Sequence, residues 1–399
     1  MKLAIVTAYP PSKVTLNEYA YHLVKNFRLK KEITEIVLLT DYTEGKKDLK
    51  FDLPGCQVSA IECWKFNSYK NLFSISKQLD RIAPDVVLFN LQFMKFGDKK
   101  IPAALGLMLP LVCKLKGLKN VVLLHNILEE VDLTKAGFAN NWLMRKLYGF
   151  IGSCLTRLIL QSDQVAVTIK KYVEVLEKKY KTSKVSLIPH GTFELPEEPN
   201  FEETSEVLRI MTFGKFGTYK KVEAMIDAVE LVRTRTGKQV EIVIAGTDNP
   251  NVKGYLAGVQ EQYQHVSDLV FTGYVEEKDV PGLFQSSAAV VFPYTSTTGS
   301  SGVLHQAGSY GKAVVMPDLG DLALLVKDEG YRGEFFDPHS TESLAQAIEA
   351  IVIDEEHRIA LGKANYKAAT AYPMSKIADM YLQIFDHIKT DKKEHLAVV

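Results

Sequence analysis

The 399-residue sequence has little cysteine and no surplus of charge of either sign. Its four cysteines, Cys56, Cys63, Cys113 and Cys154, all fall in the first half, with no CxxC pair and no His or Cys beside them at ligand spacing. Cys56 and Cys63 are the one pair that could form a disulfide or bind a metal, but the spacing argues against both, and reduced, partly buried thiols in a cytoplasmic protein are the better reading. Lys plus Arg and Asp plus Glu both number 48, with no basic block, so no nucleic-acid partner is expected. The nine histidines form no HxH or HExxH pair, which leaves no metal-site signature. No apolar run reaches a membrane span of about 20 residues. The longest, residues 101–118, is broken by Pro110 and Lys114. Residues 1–9 carry a single Lys and a strand pattern rather than the layout of a signal peptide. The expected location is the cytoplasm, including the inner face of the membrane as a peripheral site. Internal repeats and low-complexity segments are also missing.

What is present is alternation. Short β-branched runs at residues 3–7, 35–39, 58–61, 86–90, 121–125, 164–167 and 185–188 are separated by amphipathic stretches. One is residues 17–27, where Tyr19, Leu23 and Phe27 share a face. Near-continuous apolar strands between helices predict a parallel sheet covered on both sides. Composition turns to Pro, Glu and Asn over 195–205, which reads as a linker. A second set of strands follows at 208–213, 240–245, 269–272, 288–292 and 313–316, with helices at 221–234, 280–285, 302–310 and 341–354. The length suits two α/β domains. The expected fold is therefore two doubly wound, Rossmann-like domains facing a cleft, with ligands at the carboxyl ends of the strands. The domains are expected at residues 1–195 and 206–372.

Four strand-to-helix junctions of the second domain carry unusual residues: Gly214-Lys215 with Lys220, Ala245-Gly246, Gly273-Tyr274-Val275, and Gly299-Ser300-Ser301-Gly302. Bare backbone at the start of a helix offers unpaired N–H groups and the positive end of the helix to an anion. With Lys215 and Lys220 from the same sheet, a diphosphate would satisfy both sets of donors. Each piece also has a structural reading: a common turn, solvated lysines, and a connecting loop for His190.

The chain resembles retaining glycosyltransferases of the GT-B fold, family-4 type, over nearly its whole length. The likeness rests on Tyr9-Pro10-Pro11, Leu123-Leu124-His125, Ile188-Pro189-His190-Gly191, Gly214-Lys215 with Lys220, Ala245-Gly246, Phe271-Thr272-Gly273 and Gly311-Lys312-Ala313-Val314-Val315. It implies acceptor binding by the first domain, donor binding by the second, and a final helix at about 375–390 crossing back onto the first. It implies catalytic roles for His125, Lys215 and Lys220, with Thr15, Asn17 and His190 on the acceptor side. Gly214, Gly246, Gly273, Tyr274, Val275, Thr298, Gly299, Ser300, Ser301, Gly302, Val303 and Gln306 would contact the donor. Three departures stand out. Lys215 replaces the usual Arg, Thr15-Leu16-Asn17 replaces a Gly-rich turn, and the family's paired glutamates fall on Thr298 and Gln306.

Without a mapped carboxylate nucleophile, double displacement lacks its attacking group. The resemblance implies front-face hexose transfer from a nucleoside-diphosphate sugar to a hydroxyl acceptor, without metal or other cofactor. Surface polysaccharide or glycolipid synthesis is the implied setting. The rival readings are a catalytically silent GT-B subunit that binds a partner or glycan, and a nucleotide-sugar epimerase. A lipid-linked acceptor would suit residues 142–160, whose Leu143, Leu147, Ile151, Leu155 and Leu158 share a face, together with 101–118 and Lys95, Lys99 and Lys100. A core helix with basic solvent positions is the other reading of that segment.

Overall fold

The computed structural model describes residues 1–47, 49–130, 142–201, 207–249, 252–297 and 299–396. The chain divides into two compact units, residues 1–190 with 374–399, and residues 191–373.

The first unit is built on a seven-stranded parallel sheet of order β3-β2-β1-β4-β5-β6-β7. The strands are β1 (Lys2–Val6), β2 (Glu35–Asp41), β3 (Gln57–Trp64), β4 (Val86–Leu91), β5 (Asn120–Leu124), β6 (Gln164–Val167) and β7 (Val185–Leu187). Every residue of β4 and β5 is buried, as a strand flanked by helices on both faces requires. The strand order reverses beside β1, the switch point at which doubly wound sheets bind ligands. The final helix, Met374–Leu396, belongs to this unit. Its Ile377, Tyr381, Phe385 and Ile388 recur at three- and four-residue spacing and are all buried. The Tyr381 and Phe385 rings lie 5.8 and 5.9 Å from Phe27 of the helix Asn17–Phe27. Each such side chain contributes roughly 1.5–3 kcal/mol by burial.

The second unit carries a six-stranded parallel sheet of order β10-β9-β8-β11-β12-β13. Its strands are β8 (Leu208–Phe216), β9 (Val240–Asp248), β10 (Leu269–Gly273), β11 (Ala289–Val291), β12 (Ala313–Pro317) and β13 (Glu334–Phe336). The chain enters and leaves this unit side by side: Thr192 donates its N–H to Tyr372 O at 2.9 Å and its hydroxyl to Ala369 O at 2.8 Å.

Two expectations from the sequence need correction, the loop start of two junctions and the surface position of Lys95. The first two junctions of the second domain are not loops at their start. β8 and β9 stay paired through Gly214↔Gly246, Lys215↔Thr247 and Phe216↔Asp248. A Cβ on Gly246, at φ +138°, would collide with the carbonyl of Gly214, so glycine serves close strand approach there. The apolar stretch 101–118 folds as two short helices, Lys100–Leu107 and Leu109–Leu115, with Pro110 in the first turn of the second. Lys95 is not a membrane-facing cation: it is 1% exposed. No helix among the described residues is long and apolar enough to cross a membrane.

Candidate active site

In the second unit, the helix Gly302–Ser309 follows β11 and begins with Ser301 as N-cap, its Oγ accepting from Leu304 N. The turn before it is held from behind. Gly299, at φ +79°, donates its N–H to the buried Asp321 carboxylate at 2.9 Å, and Leu322 N donates to Thr297 Oγ1. The backbone of 219–221 is stitched alongside 293–295, with Lys221 N donating to Pro293 O at 3.0 Å and Thr295 N to Tyr219 O at 2.8 Å. That pairing sets Lys220 next to Tyr294, its ammonium 4.7 Å from the Tyr294 ring centre and 5.9 Å from that of Tyr219. Burial draws the Lys220 pKa below its ordinary value, opposed by Tyr219. A Cβ at Gly214 would come within 2.7 Å of the Lys220 ammonium, so this glycine makes room for the cation.

These parts share one cavity of about 140 Å³, lined by Lys220, Tyr294, Thr297, Ser300 and Gly302 among others. Gly299, Ser301 and Val303 line it too, whereas Lys215, Gly246, Gly273 and Gln306 do not. Lys215 is exposed on β8, Gly273 ends the edge strand β10, Tyr274 is 80% exposed and Val275 is half-buried. Gln306 sits one turn into the helix, half-buried. Thr298 lies outside the described residues. A cation held against aromatic faces, beside a capped helix start, suits a phosphate. A larger cavity of 490 Å³ opens instead at the amino-terminal ends of the strands, beside Leu208 and Ala313, where doubly wound sheets do not ordinarily bind.

In the first unit, Thr15, Asn17, His125 and His190 come together around β1, β4 and β5. His125 Nε2 lies 2.8 Å from Asn90 Oδ1, while Asn90 Nδ2 donates to Thr7 Oγ1 at 3.0 Å and to Leu16 O at 3.3 Å. Because the Asn90 amide donates on its other side, its oxygen accepts, and Nε2 carries the His125 proton. Burial, with the charges of His190 and Lys95, holds His125 well below the usual histidine pKa. Tyr19 packs edge-on between His125 at 4.7 Å and His190 at 4.9 Å. Lys95 Nζ donates to Thr15 O at 2.8 Å, Gln92 Nε2 to Thr15 Oγ1 at 2.6 Å, and Asn17 Nδ2 to Ser12 O at 2.8 Å. Sequence reasoning missed Asn90, although an Asn closing the apolar run Val86-Val87-Leu88-Phe89 is a visible signal. It also missed Tyr294 and Asp321, which carry no local signature.

Residues 208–354 match the family described as Glycosyl transferases group 1. The O-antigen chain mannosyltransferase C of Escherichia coli is 22% identical over 246 residues, 59% of this chain and 64% of that protein. The match thus spans less than two thirds of that relative's length. Among solved structures, a sucrose-phosphate synthase from Thermosynechococcus elongatus superposes with a TM-score of 0.70 at 15% identity, covering 98% of this chain and 100% of the other. Anabaena HepE, solved with UDP-glucose, gives 0.66 at 14% identity, covering 97% and 100%.

Proposed function

We propose, from the match of residues 208–354 to the group 1 glycosyl transferases and from the GT-B fold of the chain, that it moves a hexose from a nucleoside-diphosphate sugar to a hydroxyl acceptor, with retention. The observation that carries this reading is the cavity in which the Lys220 ammonium meets the turn Gly299–Gly302. In a front-face transfer the bond from the anomeric carbon to the diphosphate breaks. The departing oxygen takes the proton of the attacking hydroxyl as the new glycosidic bond forms on the same face. The main demand on the protein is then to stabilise the leaving diphosphate. On this reading Lys220 and the backbone N–H groups of Ser300–Gly302 do that, the Gly299 N–H being taken by Asp321, and each preorganised donor is worth ~3 kcal/mol. Lys220 supplies the neutralising charge, so the step on this reading needs no metal. UDP-glucose in HepE and mannosyl transfer by the Escherichia coli relative support the donor class and a role in surface polysaccharide synthesis.

The test is turnover of UDP-glucose and GDP-mannose, with the anomeric configuration of the product read by NMR. Lys220→Ala should lower kcat/KM by about 10²–10³-fold in a folded protein. Full activity of that variant, or an inverted product, would refute the assignment.

A lipid-linked acceptor is favoured by one patch of the first unit. In the helix Trp142–Ile159, Leu147, Phe150 and Ile151 are 48, 65 and 42% exposed, while Gly152, Thr156 and Ile159 are buried. Exposed Ile101 and Leu115, with Lys99, Lys100 and Lys116, lie on neighbouring helices of that unit. Such a surface suits an anionic bilayer at the inner face of the membrane. Co-sedimentation with phosphatidylglycerol vesicles at low salt, lost at high salt, is the expected result. Failure to bind at any salt would leave a water-soluble glycan as acceptor.

A further inference from the structure

Behind the turn of the donor cavity stands a buried chain of polar groups that the transfer reaction as described does not use. Ser300, which lines the cavity, has its Oγ 3.3 Å from His305 Nε2. On the far side of the imidazole, Nδ1 is 2.9 Å from the Tyr331 hydroxyl and 3.6 Å from Glu329 Oε2. His305 and Tyr331 are 2 and 4% exposed, and their rings meet edge-on at 5.6 Å. The fold keeps space for this contact. A Cβ on Gly308 would lie 2.6 Å from the Tyr331 ring, so the helix carries glycine where the ring crosses it. Next to Tyr331, Arg332 N donates to the fully buried Asn365 at 2.7 Å, and Asn365 Nδ2 donates to Lys312 O at 2.9 Å. The ring's chain position is thereby fixed from two sides.

The chemistry of the chain turns on one proton. A serine hydroxyl has a single hydrogen to donate. If His305 Nε2 were the bare nitrogen, Ser300 would spend that hydrogen on the imidazole and present only lone pairs to the cavity, repelling an anion. If Nε2 carries the hydrogen, it donates to Ser300 Oγ and leaves the serine hydrogen for the cavity. The second arrangement requires Nδ1 to accept, and the Tyr331 hydroxyl is a donor at the right distance. Glu329 does not disturb this, because burial, with the nearby Asp328 charge, lifts its carboxyl to about 8 and keeps it largely neutral near pH 7.

We infer that His305, oriented by Tyr331, is a positioning residue that turns the Ser300 hydroxyl into a hydrogen-bond donor to the terminal phosphate of a nucleoside diphosphate. The inference rests on the donor site proposed above, and adds to it a preference for diphosphate over monophosphate set from behind the turn.

The experiment is calorimetry with whichever of UDP and GDP binds more tightly, against the corresponding monophosphate. Ser300→Ala should weaken diphosphate binding about tenfold and monophosphate binding little. His305→Asn, which keeps a polar group near Nδ1 and loses Nε2, should give the same loss. His305→Gln, which can place an N–H near Nε2, should restore most of it. Tyr331→Phe should show an intermediate loss with the ring still packed, and covers the case in which His305→Asn fails to fold. The Ser300→Ala/His305→Asn pair should bind no worse than Ser300→Ala alone, because both act through one hydrogen bond. Additive losses, or Gln no better than Asn, would overturn the relay; in the Tyr331→Phe arm, wild-type affinity would do so. Lys220→Ala separates the two levels. If it leaves diphosphate affinity untouched, the donor site itself is misplaced. If it weakens binding while the serine–histidine losses add, only the relay falls.

Discussion

Lys95 offers a measurement that needs no substrate. Its ammonium is buried in the first unit, donating to Thr15 O at 2.8 Å and lying 5.9 Å from the Trp64 ring centre. Burial draws its pKa from 10.5 to about 7, against the opposing attraction of Asp41. Below pH 7 both the folded and unfolded chains hold the proton. Between 7 and 10.5 only the unfolded chain does, so stability rises with pH across that window. The slope from this one group approaches ~1.4 kcal/mol per pH unit, and the whole window is worth on the order of 4–5 kcal/mol. Both tryptophans, Trp64 and Trp142, lie in the first unit, so fluorescence follows its unfolding. Urea titrations at pH 7.5, 8.5 and 9.5 should show wild type gaining on Lys95→Met by about 1 kcal/mol per unit. Taking the difference removes Lys312 and Glu329, which titrate near 8 in the second unit. Parallel profiles for the two proteins would refute the buried-ammonium reading.

Gly246→Ala should destabilise the second unit by at least ~2–3 kcal/mol, since φ +138° and the Gly214 carbonyl both oppose a side chain; a thermal midpoint within a degree of wild type would contradict that. Gln306→Glu should keep activity and tighten nucleotide binding by ~1 kcal/mol, because a carboxylate accepts from both ribose hydroxyls where an amide offers one oxygen. Unchanged affinity by calorimetry would place Gln306 away from the ribose.

How far the sequence discloses this protein depends on how far apart the partners lie in the chain. Parallel strands such as Val86–Leu91 announce themselves, because burial on both faces demands an unbroken apolar run. The three-residue strand Glu334–Phe336 does not, being too short to show a period and charged at its first residue. Gly214 and Gly246 are visible as glycines, yet glycine signals a loop as readily as a close strand contact, and only the register Gly214↔Gly246 decides between them. Lys95 reads as a solvated cation because nothing near it in the chain reveals that Thr15, 80 residues earlier, supplies the carbonyl that receives it.

The turn Gly299-Ser300-Ser301-Gly302 is legible for the opposite reason: its function as a helix start is local, written in a cap and two glycines. The groups that give such a turn chemical character are all remote. Asp321 lies 22 residues beyond Gly299, Tyr331 lies 26 beyond His305, and Lys220 arrives from the loop after β8. Backbone geometry can be read from residue types because sterics act over a few bonds. The protonation of a histidine or the direction of a hydroxyl is set by whatever the fold brings alongside. His305 shows the division within one side chain. Its place on a buried helix face follows from helical spacing, but its action on Ser300 depends on which of its nitrogens faces Tyr331, which only the folded second unit determines.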